Sequence, residues 1–378
     1  MKYIQRNISE AILEASPFYQ VIVISGPRQT GKTTLARRIF PEFHYHNLED
    51  PLIRDIVEEN PRDFIMKGPQ GMIIDEIQRL PSLFSYIQVC VDQNPGRKFV
   101  ITGSSDFALM EKITQSLAGR ASLFTLLPFS FKELSEYVKE TETNSLMFNG
   151  FYPGVIAKGI FPKIFYPNYI STYVERDARQ INSIDNLDLF RLFLRIIAGR
   201  TGTEFNANSL SSDIGVSAPT IRKWLGILKT SYIAFTLTPY QANLEKRLTK
   251  TPKVYFYDTG LLCSLLGIHE PSQLAVHPLR GAVFENLAVT EILKEKYNRI
   301  QNFDLYFYRE NGSREVDLLK VAGLDISLFE IKSSGSFNKS FNKNLSYLKN
   351  LLGDKVKETT VVYDGPSVPP SVINIRDL

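Results

Sequence analysis

Short apolar runs of strand type alternate along the chain with longer segments whose apolar residues recur at helical spacing. Residues 20–25 (QVIVIS), 71–74 (GMII) and 98–101 (KFVI) are continuous apolar runs, the first of them β-branched, the pattern of strands covered on both faces. Each run passes into small or polar residues, so each predicts a buried strand whose C-terminal end opens onto a loop. Residues 187–197 place Leu189, Leu192, Phe193, Ile196 and Ile197 at helical spacing. Residues 209–217, holding Gly215, lead into 219–225. Ser217 is placed to cap the second helix and Pro219 lies in its first turn, which predicts a helix-turn-helix with Ile221, Leu225 and Leu228 toward the core.

Strand-like segments at 233–237 and 254–257 follow and suggest a wing. A helix from 280 to about 297 comes next, then strands at 306–309, 315–321 and 325–333. The last two are expected to form a hairpin around Gly323-Leu324. Residues 339–349 read as an amphipathic helix covering the sheet with its lysines solvated. A Pro- and aromatic-rich stretch at 150–167 marks an exit from the first part. The pattern therefore reads as an α/β protein in three parts: 1–150 with a parallel sheet, 151–275 helical with a winged helix, and 276–378 a smaller α/β domain.

Composition narrows this. A chain of 378 residues with 43% hydrophobic residues has enough apolar material for two or three cores, which excludes a mostly disordered protein. No apolar run approaches the ~20 residues of a membrane span, and the first residues carry no apolar stretch of signal-peptide type. Cys90 and Cys263 lie far apart, indicating neither a disulfide framework nor a zinc site. The expectation is a cytoplasmic protein without a membrane partner. Net charge is a mild +4, but between residues 191 and 253 ten Lys and Arg stand against three acids. Such an excess attracts a polyanion or is a solvated face balanced by acidic neighbours.

The strongest chemical signal follows the first strand. Gly26, Pro27, Arg28, Gln29, Thr30, Gly31, Lys32, Thr33 and Thr34 match the phosphate-loop pattern GxxxxGK[ST] in a strand-to-helix context. Glycines let successive N–H groups turn inward around phosphate oxygens, and the following helix adds its dipole. Lys32 would reach the β- and γ-phosphates of ATP and Thr33 would ligate Mg²⁺. The strand at 71–74 ends in Asp75 and Glu76: the first suits the acid that holds Mg²⁺, the second a general base for the attacking water. The strand at 98–101 ends near Ser104 and Ser105, either of which would sense the γ-phosphate unless the segment is a plain loop.

With the runs GPRQTGKTTLA, IIDEIQRLPSLFSYIQ, FVITGSSDFALM and QSLAGRASLFTLLPFSFKEL, the first 135 residues resemble the bacterial and archaeal family of AAA+-type ATPases that carry a C-terminal domain of unknown function. The resemblance implies a parallel-stranded nucleotide-binding domain. It also implies that Arg120 is an arginine finger or sensor; the alternative is an arginine capping a helix end. The C-terminal order Glu285, Asp317, Glu330, Lys332 resembles the PD-(D/E)xK nuclease-like, or restriction-endonuclease-like, fold. A two-residue turn at Gly323-Leu324 would set Asp317 opposite Glu330, with Lys332 returning to the same face. Glu285, Asp317 and Glu330 would then hold Mg²⁺ and Lys332 would support the nucleophile. The competing reading is a structural ion-pair cluster.

Three functional readings follow. The first is an ATP-binding, ATP-hydrolysing switch coupled to DNA or to a protein. DNA would be met through Ser217, Thr220, Arg222, Lys223 and the segment with Lys246, Arg247 and Lys250, although such a module also serves as a lid or docking domain. The second is an Mg²⁺-dependent DNA nuclease gated by ATP. The third is a nucleotide-dependent binding module without turnover. A homo-oligomer is compatible with each.

Overall fold

The structure, a computed structural model, describes residues 3–104, 116–174, 186–241, 251–310, 314–368 and 370–378. Two sheets organise them. The first is fully parallel, with β1 (Val21–Ser25), β2 (His44–Asn47), β3 (Gly71–Asp75), β4 (Lys98–Thr102) and β5 (Ala121–Thr125) in the order β2-β3-β4-β1-β5. Both faces are covered, which is why the strands read as unbroken apolar runs. Val21, Val23, Ile74, Phe99 and Ile101 pack on one side with the helix Leu83–Gln93. Ile22, Ile24, Ile73 and Val100 pack on the other with Leu35 and Ala36 of the helix Lys32–Ile39. Because β4 lies between β1 and β3, the C-terminal ends of three neighbouring strands converge beside the loop at 26–31.

The second sheet is mixed and seven-stranded. Its members are β6 (Ala234–Pro239), β7 (Lys253–Phe256), β8 (Asp304–Arg309), β9 (Glu315–Ala322), β10 (Asp325–Lys332), β11 (Val356–Tyr363) and β12 (Val372–Asn374), in the order β12-β11-β10-β9-β8-β6-β7. β9 and β10 form the expected hairpin in the expected register, with Ala322 opposite Asp325 and Leu318 opposite Phe329. The two strands expected to form a separate wing are part of this sheet: β6 pairs antiparallel with β7 on one edge and parallel with β8 on the other, through Thr238–Tyr306 and Pro239–Phe307. One apolar core runs from Leu127 through Trp224 and Tyr255 to Ile375. The expected boundary near 275 thus falls within a shared sheet and a shared core.

Before β6 come the helices Leu187–Gly199, Ala207–Ile214 and Ala218–Thr230. The turn between the last two contains Gly215 in a left-handed conformation, and Ser217 Oγ accepts from Thr220 N at 3.2 Å as the N-cap. Ile221, Leu225 and Leu228 are buried as expected. A single bridge joins Glu204 to Lys253. The Pro- and aromatic-rich stretch ends in the helix Pro162–Tyr169, followed by a wider turn at Ile170–Val174. Residues 339–349 split into a short 3₁₀ turn, Lys339–Phe341, and the helix Asn342–Leu352, which buries Leu345 and Leu348 on the sheet. Among the described residues no helix is long and apolar enough to cross a membrane.

The outer side of β7 is hydrogen-bonded to residues 202–205, with Gly202 N donating to Val254 O at 2.8 Å and Val254 N to Thr203 O at 3.2 Å, and the long helix Arg280–Asn298 completes the pairing at Phe256. Asn286, fully buried in that helix, accepts from Phe256 N at 2.7 Å and donates to Phe256 O at 2.8 Å. An amide side chain thereby stands in for a neighbouring strand. Asn286→Leu leaves Phe256 N buried without its acceptor, while Thr290 Oγ1 still donates to Phe256 O at 3.1 Å, and should cost about 1–3 kcal/mol. Urea denaturation of the full chain checks this; an unchanged midpoint would contradict it.

Candidate functional site: the phosphate loop and the C-terminal carboxylate cluster

The loop after β1 owes its shape to two glycines. Gly26 has φ +138, and a Cβ there would lie 2.3 Å from the carbonyl oxygen of Leu126. Gly31 has φ +92 and immediately precedes the helix Lys32–Ile39. Gln29 also lies in the left-handed region, at φ 61. This backbone turns successive N–H groups toward one side. Lys32, largely buried, donates from Nζ to Gly26 O at 3.0 Å and Pro27 O at 2.7 Å, so its charge rests on the loop itself. Thr30 Oγ1 donates to Pro27 O at 2.9 Å. Arg28, Gln29 and Thr34 belong to the same loop and first helical turn. A cavity of 460 Å³ opens beside it, lined among others by Tyr3, Ile4, Gln29, Thr34 and Ile160.

Asp75, the last residue of β3, is buried and accepts hydrogen bonds from three hydroxyls. Thr33 Oγ1 donates at 2.8 Å, Tyr45 OH donates at 2.7 Å, and Thr102 Oγ1 donates to the other oxygen. All three are neutral, so they leave the carboxylate's charge in place. Thr33 and Asp75 together present hard oxygen ligands of the kind Mg²⁺ takes, and the residues present fit that ion. Tyr45 has its phenol pushed well up by burial and by the bond to Asp75. Glu76 follows at φ 56, a left-handed turn that swings its side chain off the strand. Gln78 Nε2 donates to Glu76 Oε2 and, at 3.0 Å, to Ser104 Oγ. Burial raises the Glu76 carboxyl above the usual range and Asp75 adds to this, while Lys32 and Arg28 oppose it.

The structure thus brings together Lys32, Thr33, Asp75, Glu76 and Ser104. Ser105 lies outside the described residues. It does not bring Arg120 to them. Arg120 immediately precedes β5 and its carbonyl accepts from Val21 N at 3.2 Å, at the start of β1, whereas the phosphate loop leaves the other end. Its guanidinium is held bidentately by Asp92 (2.5 and 2.9 Å) and donates to Ala118 O at 3.1 Å. The expected finger or sensor role toward the loop of its own chain is corrected to an anchor of the turn before β5.

Sequence reasoning missed three residues of the loop's surroundings. Arg6 is buried; it donates to Thr30 O at 3.0 Å, to Leu127 O at 2.6 Å and to Glu133 Oε1 at 3.0 Å, tying the loop to the segment after β5. Tyr169 OH reaches Arg28 O at 3.5 Å. Tyr232, at φ 52 after the helix Ala218–Thr230, sets its hydroxyl 3.4 Å from both Ser25 Oγ and Thr125 Oγ1. Nothing in the local sequence marks them, because their partners lie 24 to 207 residues away.

In the C-terminal hairpin Asp317 Oδ2 accepts from Ile331 N at 2.7 Å and from Lys332 Nζ at 3.3 Å, while Lys332 Nζ also pairs with Glu330 Oε1 at 2.8 Å. Burial, then Asp317, pushes the Glu330 carboxyl up to about 7 against the pull of Lys332. Glu285, from the long helix, is met by Tyr255 OH at 2.6 Å and Lys253 Nζ at 3.3 Å; Lys253 also pairs with Glu315. Burial pulls the Lys253 ammonium down, but Glu285, Glu315 and Asp317 together raise it above its usual value. Among the described residues no three His, Cys, Asp or Glu side chains converge to hold a metal. The expected Mg²⁺ site on Glu285, Asp317 and Glu330 is therefore corrected: lysines occupy the ground between the carboxylates, and the residues as placed do not fit a metal.

The basic stretch at 191–253 is less free than its count suggests. Lys253 is buried, Arg200 pairs with Asp213 at 2.5 Å, and Arg191 with Asp188 at 2.9 Å. Ser217, Arg222 and Lys223 are exposed and Thr220 half-buried at the second helix of the pair; Ser217 and Thr220 hydroxyls lie 2.8 Å apart. Lys246, Arg247 and Lys250 lie outside the described residues.

With this geometry in hand, comparison with known proteins is specific. Residues 19–135 match the model of an AAA domain, 140–272 a domain of unknown function (DUF8612), and 280–377 another (DUF4143). An uncharacterized protein of Mycobacterium tuberculosis is 30% identical over 355 residues, covering 91% of this chain and 76% of the relative. An uncharacterized protein of Methanocaldococcus jannaschii is 23% identical, covering 79% and 72%. Among solved structures, the Walker-type ATPase of Pyrococcus abyssi is similar over 70% of this chain and 96% of its own, at 16% identity and TM-score 0.47. The first domain is an AAA-type ATP-binding domain with a phosphate loop. The chain belongs to the family of the mycobacterial protein, with that domain followed by a C-terminal region of the DUF4143 type.

Arg6→Met removes a buried cation from Glu133 and two carbonyls and should cost about 3–5 kcal/mol. Glu133→Gln in the same chain should recover part of this. Thermal melts of the single and double variants check the coupling; additive losses would contradict it.

Proposed function

We propose that this protein is an ATPase that binds ATP with Mg²⁺ at the loop 26–34, hydrolyses it, and passes the nucleotide state to its C-terminal part and from there to a DNA or protein partner. The observation that carries the reading is the 2.8 Å contact of Thr33 with Asp75, made where the loop and two neighbouring strand ends meet. Gly26, Pro27, Arg28, Gln29, Thr30 and Gly31 would wrap the phosphates with backbone N–H groups. Lys32 would exchange its loop carbonyls for phosphate oxygens, and Thr34 would follow it in the first helical turn. Thr33 and Asp75 would hold Mg²⁺, which when bound neutralises phosphate charge. The cavity beside Gln29 and Ile160 suits an apolar, ring-shaped group such as a nucleobase.

Glu76 is placed to accept a proton from water. Its raised pKa brings the carboxylate closer to neutrality in basicity, which favours proton acceptance. Gln78 links it to Ser104, a polar residue suited to register the terminal phosphate. Tyr232 on Ser25, Tyr169 on Arg28 and Arg6 on Thr30 offer three routes by which movement of the loop would reach the helical part. The order of three helices, the Glu204–Lys253 bridge and the β6–β7 pair supports a winged-helix reading of residues 187–256, with Arg222 and Lys223 available to phosphates. Cleavage of DNA at the C-terminal cluster is not favoured, since lysines stand among its carboxylates.

Phosphate release with and without duplex DNA tests the proposal. Lys32→Ala should weaken ATP binding roughly 10- to 100-fold. Glu76→Gln should retain binding and lower turnover roughly 100- to 10,000-fold. Wild-type turnover should fall as pH drops through the Glu76 pKa, above the ordinary glutamate value, because the base must be unprotonated; this limb should vanish in Glu76→Gln. Unchanged turnover in Glu76→Gln would remove it from the mechanism. DNA stimulation that survives Arg222→Ala/Lys223→Ala would move the DNA contact off this helix, and no stimulation by DNA in the wild type would redirect the partner to a protein.

A further inference from the structure

Glu76 and Ser104, from the ends of two neighbouring strands, are joined by a third residue with no part in holding nucleotide or metal. Gln78 sits in the 3₁₀ turn Ile77–Arg79 that follows β3. The turn is pinned on both sides of it. Ile77 and Leu80 are buried in the core shared with Ile74 and Ile101, Arg79 N donates to Glu76 O at 2.9 Å, and the Arg79 guanidinium pairs with Glu49 at 3.1 Å. From this base the Gln78 amide donates twice. Its Nε2 bonds Glu76 Oε2 and, at 3.0 Å, Ser104 Oγ, two residues past β4. Its Oε1 is buried with no hydrogen-bond partner among the described residues, so the two donor bonds set which way the amide faces. Turned over, the amide would press its oxygen against the Glu76 carboxylate.

An amide so placed fixes the direction of hydrogen at both ends. A hydroxyl has one hydrogen to give. While Ser104 Oγ accepts from Gln78, that hydrogen is directed away from the amide and suits an oxygen that only accepts, as those of a terminal phosphate do. At the other end, the bond to Oε2 holds the carboxylate in one orientation and leaves Oε1 to take a proton from water. We propose that Gln78 is a positioning residue for hydrolysis, its one amide aiming Glu76 at the attacking water and Ser104 at the terminal phosphate of the same nucleotide. This role rests on the ATPase reading above and adds to it a physical link between the base and the phosphate contact. Gln78 also bears on the strength of the base. Burial raises the Glu76 pKa most and Asp75 raises it further, while Lys32, Arg28 and the Gln78 N–H lower it.

The test is steady-state phosphate release against pH, with Mg·ATP binding to the same full chains measured by titration calorimetry. Gln78→Met keeps the length of the side chain and removes both N–H donors. It should hold Mg·ATP affinity within ~3-fold of wild type and lower kcat roughly 10- to 100-fold. The acid limb of kcat should move to higher pH, because Glu76 loses a bond that favours its charged form. Gln78→Asn, one methylene too short to span both partners, should move the limb the same way and guards against a folding defect in the first variant. In a Ser104→Ala background, Gln78→Met should cost less in kcat than it does with Ser104 present, with the limb shifted as before. A limb unmoved in both variants would overturn the proposal whatever happens to the rate. So would a loss of Mg·ATP affinity as large as the loss of kcat, or a fall in kcat as deep as that of Glu76→Gln. Equal cost with and without Ser104 would overturn the two-ended role. Unchanged turnover in Glu76→Gln, read in the same assay, would instead overturn the reading of Glu76 as the base and take this role with it.

Discussion

A single buried carboxylate organises the nucleotide end of this molecule. Asp75 closes β3 and accepts from Thr33 of the loop helix, Tyr45 of β2 and Thr102 of β4. Four elements that are distant in sequence are thereby fixed around one negative charge. The donors are hydroxyls, which satisfy its lone pairs without cancelling its charge. A buried anion held this way is costly unless a cation completes it, and on the proposed function Mg²⁺ bound to the nucleotide would supply that cation. The insertion of β4 between β1 and β3 makes the arrangement possible, because it brings Thr102 and Ser104 between the loop and the acid.

The parts of the chain on either side of residue 275 share one sheet and one apolar core. β6 joins β8, Asn286 completes the edge of β7, and Lys253 crosses from β7 into the carboxylates of the helix and hairpin. A displacement entering at Tyr232 would be carried through the helix Ala218–Thr230 into a sheet that reaches the C-terminal end. Lysines within the acidic cluster make it an electrostatic clasp across this shared body.

Much of the first domain was legible in its sequence. Continuous apolar strands ending in Gly26, Asp75 and Ser104 name both the fold and the site, because parallel sheets place function at strand ends. The hairpin register was legible too, down to Leu318 opposite Phe329, since a two-residue turn fixes pairing by arithmetic. What escaped was set by distance. Arg120 reads as a finger by motif but sits at the far end of β5 from the loop of its own chain, a fact that depends on strand direction relative to the loop. Lys253 reads as surface charge, and its burial follows from an edge-strand pairing that no local pattern announces. Arg6 carries no signal at all: a lone arginine near the N-terminus becomes a loop clamp only when the segment after β5 returns to meet it.

Titration calorimetry of the full chain with ATP, in the presence and absence of Mg²⁺ and in Asp75→Asn, tests the central claim most directly. The account predicts saturable heat for Mg·ATP at one site per chain, and a marked weakening both without Mg²⁺ and in the variant. Binding of equal strength in all three conditions, or no heat from the folded wild-type protein, would contradict it.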